Sequence, residues 1–428
     1  MPIALPALRH PRAGGINYRV MFFFLIIGTM AFADAAWWWW ADRRLRPLPH
    51  AWLWRSLLAV FMGGMLLFMA GFVLAPGLVR RSHQFLPMPA SVAIYLWHLM
   101  VLPLTLLMML LAAGGRLGTR VLKRKKEQAP KAEPVPVPEE MRALSRRQFF
   151  GAAAAALPPL VTAAGTVRSM YQIGDYRVRP ITLAYPDLPP DLDGLTIAHL
   201  SDLHVGKFTK PGHLERIAED TNKLKADLHL LTGDLIDLSI GDLPRALDFV
   251  KRLDPKQGLA MCEGNHDLIE NARRFFTDTR AAGIPLLVDE ALTLEMPGRT
   301  PVQFLGMRWG SPPGGGRGGG VKQVPVSMQR LLPQRRPDAF QILLAHHPHA
   351  FDAAAEAKIP LTLAGHTHGG MWMVTGEIGG GPLLYRYWSG PYRKGDSRLV
   401  VSNGAGCWYP LRINCPAEIT HVTLRRST

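Results

Sequence analysis

Cysteine is nearly absent from this chain: there are three in 428 residues, Cys262, Cys407 and Cys415. Three cysteines do not make a disulfide framework, which excludes a small stapled scaffold. Cys407 and Cys415 are eight apart and are compatible with either a bridge or free thiols. Cys262, two residues before Gly264, reads as a small buried side chain. Acidic residues are scarce in one region only. Residues 1–150 hold 6 Asp+Glu against 19 Lys+Arg, a net of +13, whereas the remainder holds 27 against 30, a net of +3. The basic excess therefore belongs to the N-terminal third, and nucleic-acid binding explains it poorly.

Charge is missing, apart from Asp34, from three long apolar runs: Val20 to Trp40, Ser56 to Pro76 and Ala90 to Gly114. Each is near the ~20 residues that a helix needs to cross a bilayer. The alternative for each is a buried soluble helix. Four tryptophans, Trp37 to Trp40, end the first run, where a membrane interface would suit them. Residues 1–115 thus read as three membrane helices. Residues 116–147 read as a basic linker with a Pro-rich centre, KAEPVPVPEE, partly extended and without compact structure. Residues 148–168 form a fourth, alanine-rich apolar segment. Ser145-Arg146-Arg147-x-Phe149 resembles a twin-arginine export signal; a fourth membrane helix kinked at Pro158 and Pro159, or a linker that never crosses, are the other readings. Basic loops favour a cytoplasmic linker. If the fourth segment crosses, residues 171–428 lie on the extracytoplasmic side of a bacterial inner membrane, which is the expected placement.

From about Tyr171 short apolar runs alternate with helices such as His213 to Ala226 and Ala272 to Ala282, an α/β pattern of about 250 residues, enough for a real core. Five motifs follow in order: SDLH (201–204), GDLID (233–237), GNHD (264–267), AHH (345–347) and GHTH (365–368). Each comes after a run typical of a buried strand (LTIAHL, DLHLLT, LAMCE, QILLA, PLTLA), so their side chains collect at the carboxyl ends of strands, where α/β sheets form sites. Aspartate, histidine and asparagine in these numbers suit two adjacent metal ions, which acidify a shared water and clamp phosphate oxygens. Asp202 with His204, and His366 with His368, have the i, i+2 spacing that points to one side of an extended chain. The mixed donor set favours manganese, iron or zinc. Each motif alone has an ordinary reading as a turn or strand end; five in this order make coincidence a poor account.

The motif set resembles that of the calcineurin-like metallophosphoesterases, from about Leu195 onward. The resemblance implies two mixed β-sheets sandwiched between helices. It implies a first metal held by Asp202, His204, Asp234 and His368, and a second held by Asp234, Asn265, His346 and His366, with Asp234 bridging. His266 would lie over the phosphate and protonate the leaving oxygen, with Asp267 orienting it. Asp237 would be structural or support the ligands. Of the adjacent pair His346 and His347, the pattern selects His346. His199, His229, His349 and His421 read as packing or surface residues.

Trp309 to Val321, WGSPPGGGRGGGV, reads as a flexible loop. It is either a disordered insertion or a lid in which Arg317 touches a substrate phosphate. Gly370 to Gly381 is a second glycine cluster beside the expected cleft. The expected activity is hydrolysis of a phosphodiester or pyrophosphate, with the membrane region making a lipid-linked substrate attractive. Two other classes compete with it: a metal-binding membrane sensor or scaffold without catalysis, against which His266 argues, and a transporter, for which only Asp34 and His98 supply intramembrane polar groups.

Overall fold

The computed structural model describes residues 18–74, 86–123, 145–310, 320–373, 378–410, 412 and 415–427. It divides into two compact units, Met1–Val167 and Arg168–Thr428.

The first unit is helical: α1 (Tyr18–Leu45), α2 (Ala51–Leu74), α3 (Met88–Leu96), a π-helical turn (Trp97–Val101), α4 (Leu102–Lys123) and most of α5 (Arg146–Gln172). Among the described residues three stretches are long and apolar enough to cross a membrane, Ala51–Ala70, Met88–Arg116 and Arg146–Gln172. The first apolar run lies within α1, a single helix of 28 residues. The fourth apolar segment lies inside α5. The expected linker begins later than its composition suggested, because 116–123 continues α4; its Pro-rich centre lies outside the described residues.

The tryptophan cluster does not act as one band. Successive residues of a helix are ~100° apart, so four in a row cannot share a face. Trp37 is fully buried and meets Trp97 edge-on at 4.9 Å, whereas Trp39 is exposed with the Arg43 guanidinium over its ring at 3.9 Å. Beside Trp37, Asp34 is buried and links α1 to the π turn. Its Oδ1 accepts from Trp97 Nε1 at 2.7 Å and its Oδ2 lies 3.0 Å from His98 Nε2. His98 Nδ1 lies 3.0 Å from the Ile94 carbonyl, which can only accept, so this nitrogen carries a proton.

In the second unit twelve strands form two six-stranded sheets. The first has the order β1 (Tyr176–Tyr185), β12 (Ala417–Arg426), β2 (Thr196–Leu200), β3 (Leu228–Thr232), β4 (Gly258–Cys262), β5 (Leu286–Leu287). The second has the order β10 (Gly390–Lys394), β11 (Ser397–Val401), β9 (Leu361–Ala364), β8 (Phe340–Leu344), β7 (Val302–Gly306), β6 (Glu290–Leu294). Both are mixed. The strand β12 runs parallel to β1 and antiparallel to β2; β10 and β11 form an antiparallel hairpin on the edge of an otherwise largely parallel sheet.

Side-chain alternation explains the layers. Ile197, Leu228 and Leu230 point between the sheets and meet Phe304, Ile342, Leu344 and Leu363 from the other sheet. Leu200 and Leu231 point outward, under α6 (Pro211–Lys223), α7 (Leu243–Lys251) and α8 (Ala272–Ala281). Leu305 and Leu343 do the same under α9 (Val324–Leu331) and α10 (Ala350–Glu356). This is the expected sandwich of two mixed sheets between helices. Cys262, Cys407 and Cys415 are free and buried, so the Cys407–Cys415 bridge is not formed.

Candidate metal centre

The five motifs follow β2, β3, β4, β8 and β9, at the carboxyl ends of five buried strands. Asp202 and His204 do not converge because the chain is extended there. The backbone leaves strand geometry, and both residues adopt left-handed conformations (φ 52° and 43°). The same holds for Asp234 (φ 52°), His366 (φ 70°) and His368 (φ 48°). Half of the ten non-glycine residues with positive φ among the described residues are thus expected ligands, and such strain concentrates at functional sites.

Three groupings of donor atoms close on one another within 4.8 Å: Asp202, His204 and His368; Asp234, His346 and His366; and His204, Asp234 and His266. His204 Nε2 faces His368 Nε2 at 3.0 Å, and His368 Nε2 lies 3.2 Å from Asp202 Oδ1. His346 Nε2 lies 3.1 Å from Asp234 Oδ2 and 3.3 Å from His366 Nδ1. Asn265 Oδ1, next in sequence to His266, is buried with no hydrogen-bond partner. A donor set of carboxylates, imidazoles and one orphaned amide oxygen, some of them shared between groupings, fits two neighbouring divalent ions.

Electrostatics supports this. Burial opposes charge on His204, but the surrounding Asp202, Asp237 and Asp234 overcome it and raise its pKa to about 10. Burial likewise acts on His346, where Asp234 and Asp202 raise the pKa to about 9. Asp202 is held well below the usual carboxylate range by His368, His204 and His346 despite its burial. The cluster therefore draws cations. His366, pushed down to about 3 by burial and by His346, stays a neutral imidazole.

Neighbouring backbone has to come very close. A Cβ on Gly264 would collide with the Asp234 carboxylate, and one on Gly365 with Ser201 and Asp202. Of the adjacent pair, His346 is the one inside a grouping, held by a 2.6 Å contact from its Nδ1 to the Thr232 carbonyl. His347 instead packs beside both Trp309 and His366, and burial pushes its pKa down to about 2. His199 and His229 are buried in the sheet, in keeping with packing.

His266 stands at the rim, edge-on to His204 with ring centroids 4.5 Å apart. Asp267 does not orient it. Its Oδ1 accepts from the Ile236 amide at 3.1 Å and its Oδ2 from the Gly264 amide at 2.8 Å, so both oxygens are committed to the ligand loops. The orienting residue is Asp237: its carbonyl accepts from His266 Nδ1 at 2.8 Å, and its carboxylate lies 3.2 Å from the same nitrogen. That carboxylate, three residues after Asp234, is visible in GDLID; the sequence does not reveal which acid turns toward the imidazole.

Three further residues have no clear signal in the sequence. Buried Arg412 donates from Nη2 to His368 Nδ1 at 3.1 Å and to the Gly406 carbonyl at 2.7 Å. Trp309 packs on His366 and His346, its amide donating to buried Glu263 at 2.9 Å. Trp408 lies 5.8 Å from His266. The glycines after Trp309, with Arg317, lie outside the described residues.

Two packed mixed sheets thus carry a buried His/Asp cluster at their strand ends, suited to holding metal ions. Residues 195–370 match the calcineurin-like phosphoesterase family model. A transmembrane protein with metallophosphoesterase domain from Danio rerio is 28% identical over 263 residues, 59% of this chain and 58% of that protein. The uncharacterized metallophosphoesterase YkuE of Bacillus subtilis is 27% identical over 300 residues, 67% of this chain and 99% of that protein. Phosphodiesterase YaeI of Escherichia coli is 27% identical over 291 residues, 66% of this chain and 99% of that protein. The chain spans about three fifths of the length of the Danio rerio relative and of those from Helicobacter pylori and Campylobacter jejuni.

Proposed function

We propose that this chain is a membrane-anchored phosphoesterase that hydrolyses a phosphodiester or pyrophosphate bond of a lipid-linked substrate. The observation that carries the reading is Asp234, which joins the His346–His366 grouping to that of His204 and His266. In this reading Asp202, His204, Asp234 and His368 hold a first divalent ion, and Asp234, Asn265, His346 and His366 a second; manganese, iron and zinc suit the donors. The ions, when bound, supply an acidified water and neutralise phosphate charge. The chain's own part is proton handling. His266 Nδ1 is committed to the Asp237 carbonyl, so Nε2 is the nitrogen left to hand a proton to the leaving oxygen. The name of the Escherichia coli relative, a phosphodiesterase, supports a phosphodiester.

The anchor is α1 to α5. Ala152 and Ala155 of α5 are buried with Trp37 and Trp97, which favours a helix retained in the bundle over a twin-arginine-like segment removed after export. With the linker in the cytoplasm, a crossing α5 puts the catalytic unit on the extracytoplasmic side.

The deciding experiment is turnover of bis(p-nitrophenyl) phosphate by the full chain in detergent, stripped of metal and titrated with manganese. Metal-dependent turnover is expected, lost in His266→Ala with metal retained, and lost together with metal in Asp234→Asn. Equal turnover by parent and both variants would overturn the catalytic assignment.

A further inference from the structure

Next to the metal centre the chain puts large apolar side chains into solvent. After the bridge between Met373 and Gly379, a short turn of helix, α11 (Gly381–Leu384), exposes Leu383 at 78% and Leu384 at 74%, with Ile378 at 58% beside them. Isolated exposed leucines are ordinary, but a contiguous apolar tip at the mouth of a polar site points to an apolar partner.

The tip is anchored, not loose. Gly370, which follows the GHTH motif, lies so close to Gly381 that a Cβ would strike its backbone, and Gly381 in turn lies against the Trp388 ring. Thr367, inside the motif, donates from Oγ1 to the Trp388 carbonyl at 2.6 Å. Directly after the two leucines, Tyr385 turns inward, its ring 5.8 Å from that of His366. One short segment therefore runs from solvent-facing leucines to the ring of an expected metal ligand.

The surrounding charge is balanced, so attraction to a bilayer comes from the apolar tip of a chain that also carries three helices long and apolar enough to cross a membrane. From Ile378 to Lys394 there are three basic residues, Arg386, Arg393 and Lys394, and no acidic one. Asp352 pairs with Arg386 and Lys394, and Asp396 with Arg393, so each of the three is ion-paired. Apolar side chains with aromatic and basic residues behind them are the composition of a segment that lies in a membrane interface.

We infer that the Ile378–Leu384 tip inserts into the surface of a phospholipid bilayer, so that a phosphate held on a lipid reaches the metal centre past Tyr385. The inference rests on the lipid-linked reading above, since it gives that substrate its entry side.

The native cysteines are all buried, so an introduced one can be labelled selectively. Full-length Leu384→Cys would carry a nitrobenzoxadiazole probe in phosphatidylcholine–phosphatidylglycerol vesicles, with Lys223→Cys, 70% exposed on α6, as the control position. Expected is a blue shift at Leu384 and quenching by doxyl-labelled phosphatidylcholine, with neither at Lys223. No quenching at Leu384, quenching equal at both positions, or a blue shift without quenching (a protein surface over the tip, such as a second copy) would overturn it. In a second arm, Leu383→Ser with Leu384→Ser should lower turnover of a long-chain alkyl p-nitrophenyl phosphodiester embedded in vesicles by on the order of tenfold or more, relative to the soluble ester in the same preparation. An unchanged ratio counts against the tip. A parent that hydrolyses neither ester sinks the phosphoesterase reading, while the quenching result still decides docking.

Discussion

His266 and Asp237 show what a single side chain contributes at the rim of this site. The imidazole is held through Nδ1 by a backbone carbonyl as well as by the Asp237 carboxylate. Removing the ring and removing the carboxylate should therefore differ in size. His266→Ala should cost about 10²–10⁴-fold in turnover, the usual contribution of a positioned proton donor, whereas Asp237→Asn, which keeps the carbonyl, should cost clearly less. Turnover of both variants under saturating manganese checks this; equal losses would mean that the carbonyl does not hold the ring. A second prediction concerns protons. His204 and His346 have pKa values raised to about 10 and about 9, so both are charged at pH 7, and a metal ligand must be neutral. Metal binding at pH 7 should release protons from both rings. Affinity should then rise with pH and level off above about 9 to 10, where the rings are already neutral. Calorimetry in buffers of different ionisation enthalpy reads the release directly; no release at pH 7 would mean that both rings are neutral before the metal arrives. The side chains of the three donor groupings were legible because five motifs repeat the same donor chemistry in one order. Arg412 and Trp309 were not, because their contacts with His368 and His366 span 44 and 57 positions in sequence, and neither residue sits in a pattern of its own.

At the level of elements, the buried strands could be read because each is a short apolar run ending in a motif; β2, β3, β4, β8 and β9 fall where LTIAHL, DLHLLT, LAMCE, QILLA and PLTLA stand. The hairpin β10–β11 and the insertion of β12 between β1 and β2 were not legible, since pairing partners are chosen by packing and not by local pattern. The i, i+2 argument for Asp202 and His204 reached the right pairing by the wrong geometry: left-handed turns, not a strand, aim the two side chains together. Close backbone approach makes the turns intolerant of a methyl group. Gly264→Ala should displace the Asp234 carboxylate and abolish metal binding while the far-UV circular dichroism is kept; a variant that still binds two ions would show that the loop can yield. In the helical unit, Asp34, Trp97 and His98 tie α1 to the π turn. Such π turns often mark functional or strained points. Removing one partner, as in His98→Ala, strands a buried polar group and should cost about 3–5 kcal/mol, whereas replacing all three by apolar residues (Asp34→Leu, Trp97→Phe and His98→Leu) should cost much less. Thermal unfolding of the full chain in detergent separates the two; equal losses would show that the contact is incidental.

For the whole molecule, the two compact units meet at Val167 and Arg168, whereas the charge count in the sequence was divided at residue 150. The strand β1 has a single neighbour, β12, and β12 in turn is the bridge to β2. The first strand of the catalytic unit must therefore wait for residues more than 230 positions later before it has any hydrogen-bonding partner in its sheet. Until Ala417–Arg426 has emerged, the unit is held open with an unpaired edge, a state prone to aggregation and proteolysis. A chain halted shortly before Ala417 carries all five motifs and still lacks the strand that joins β1 to the rest of its sheet.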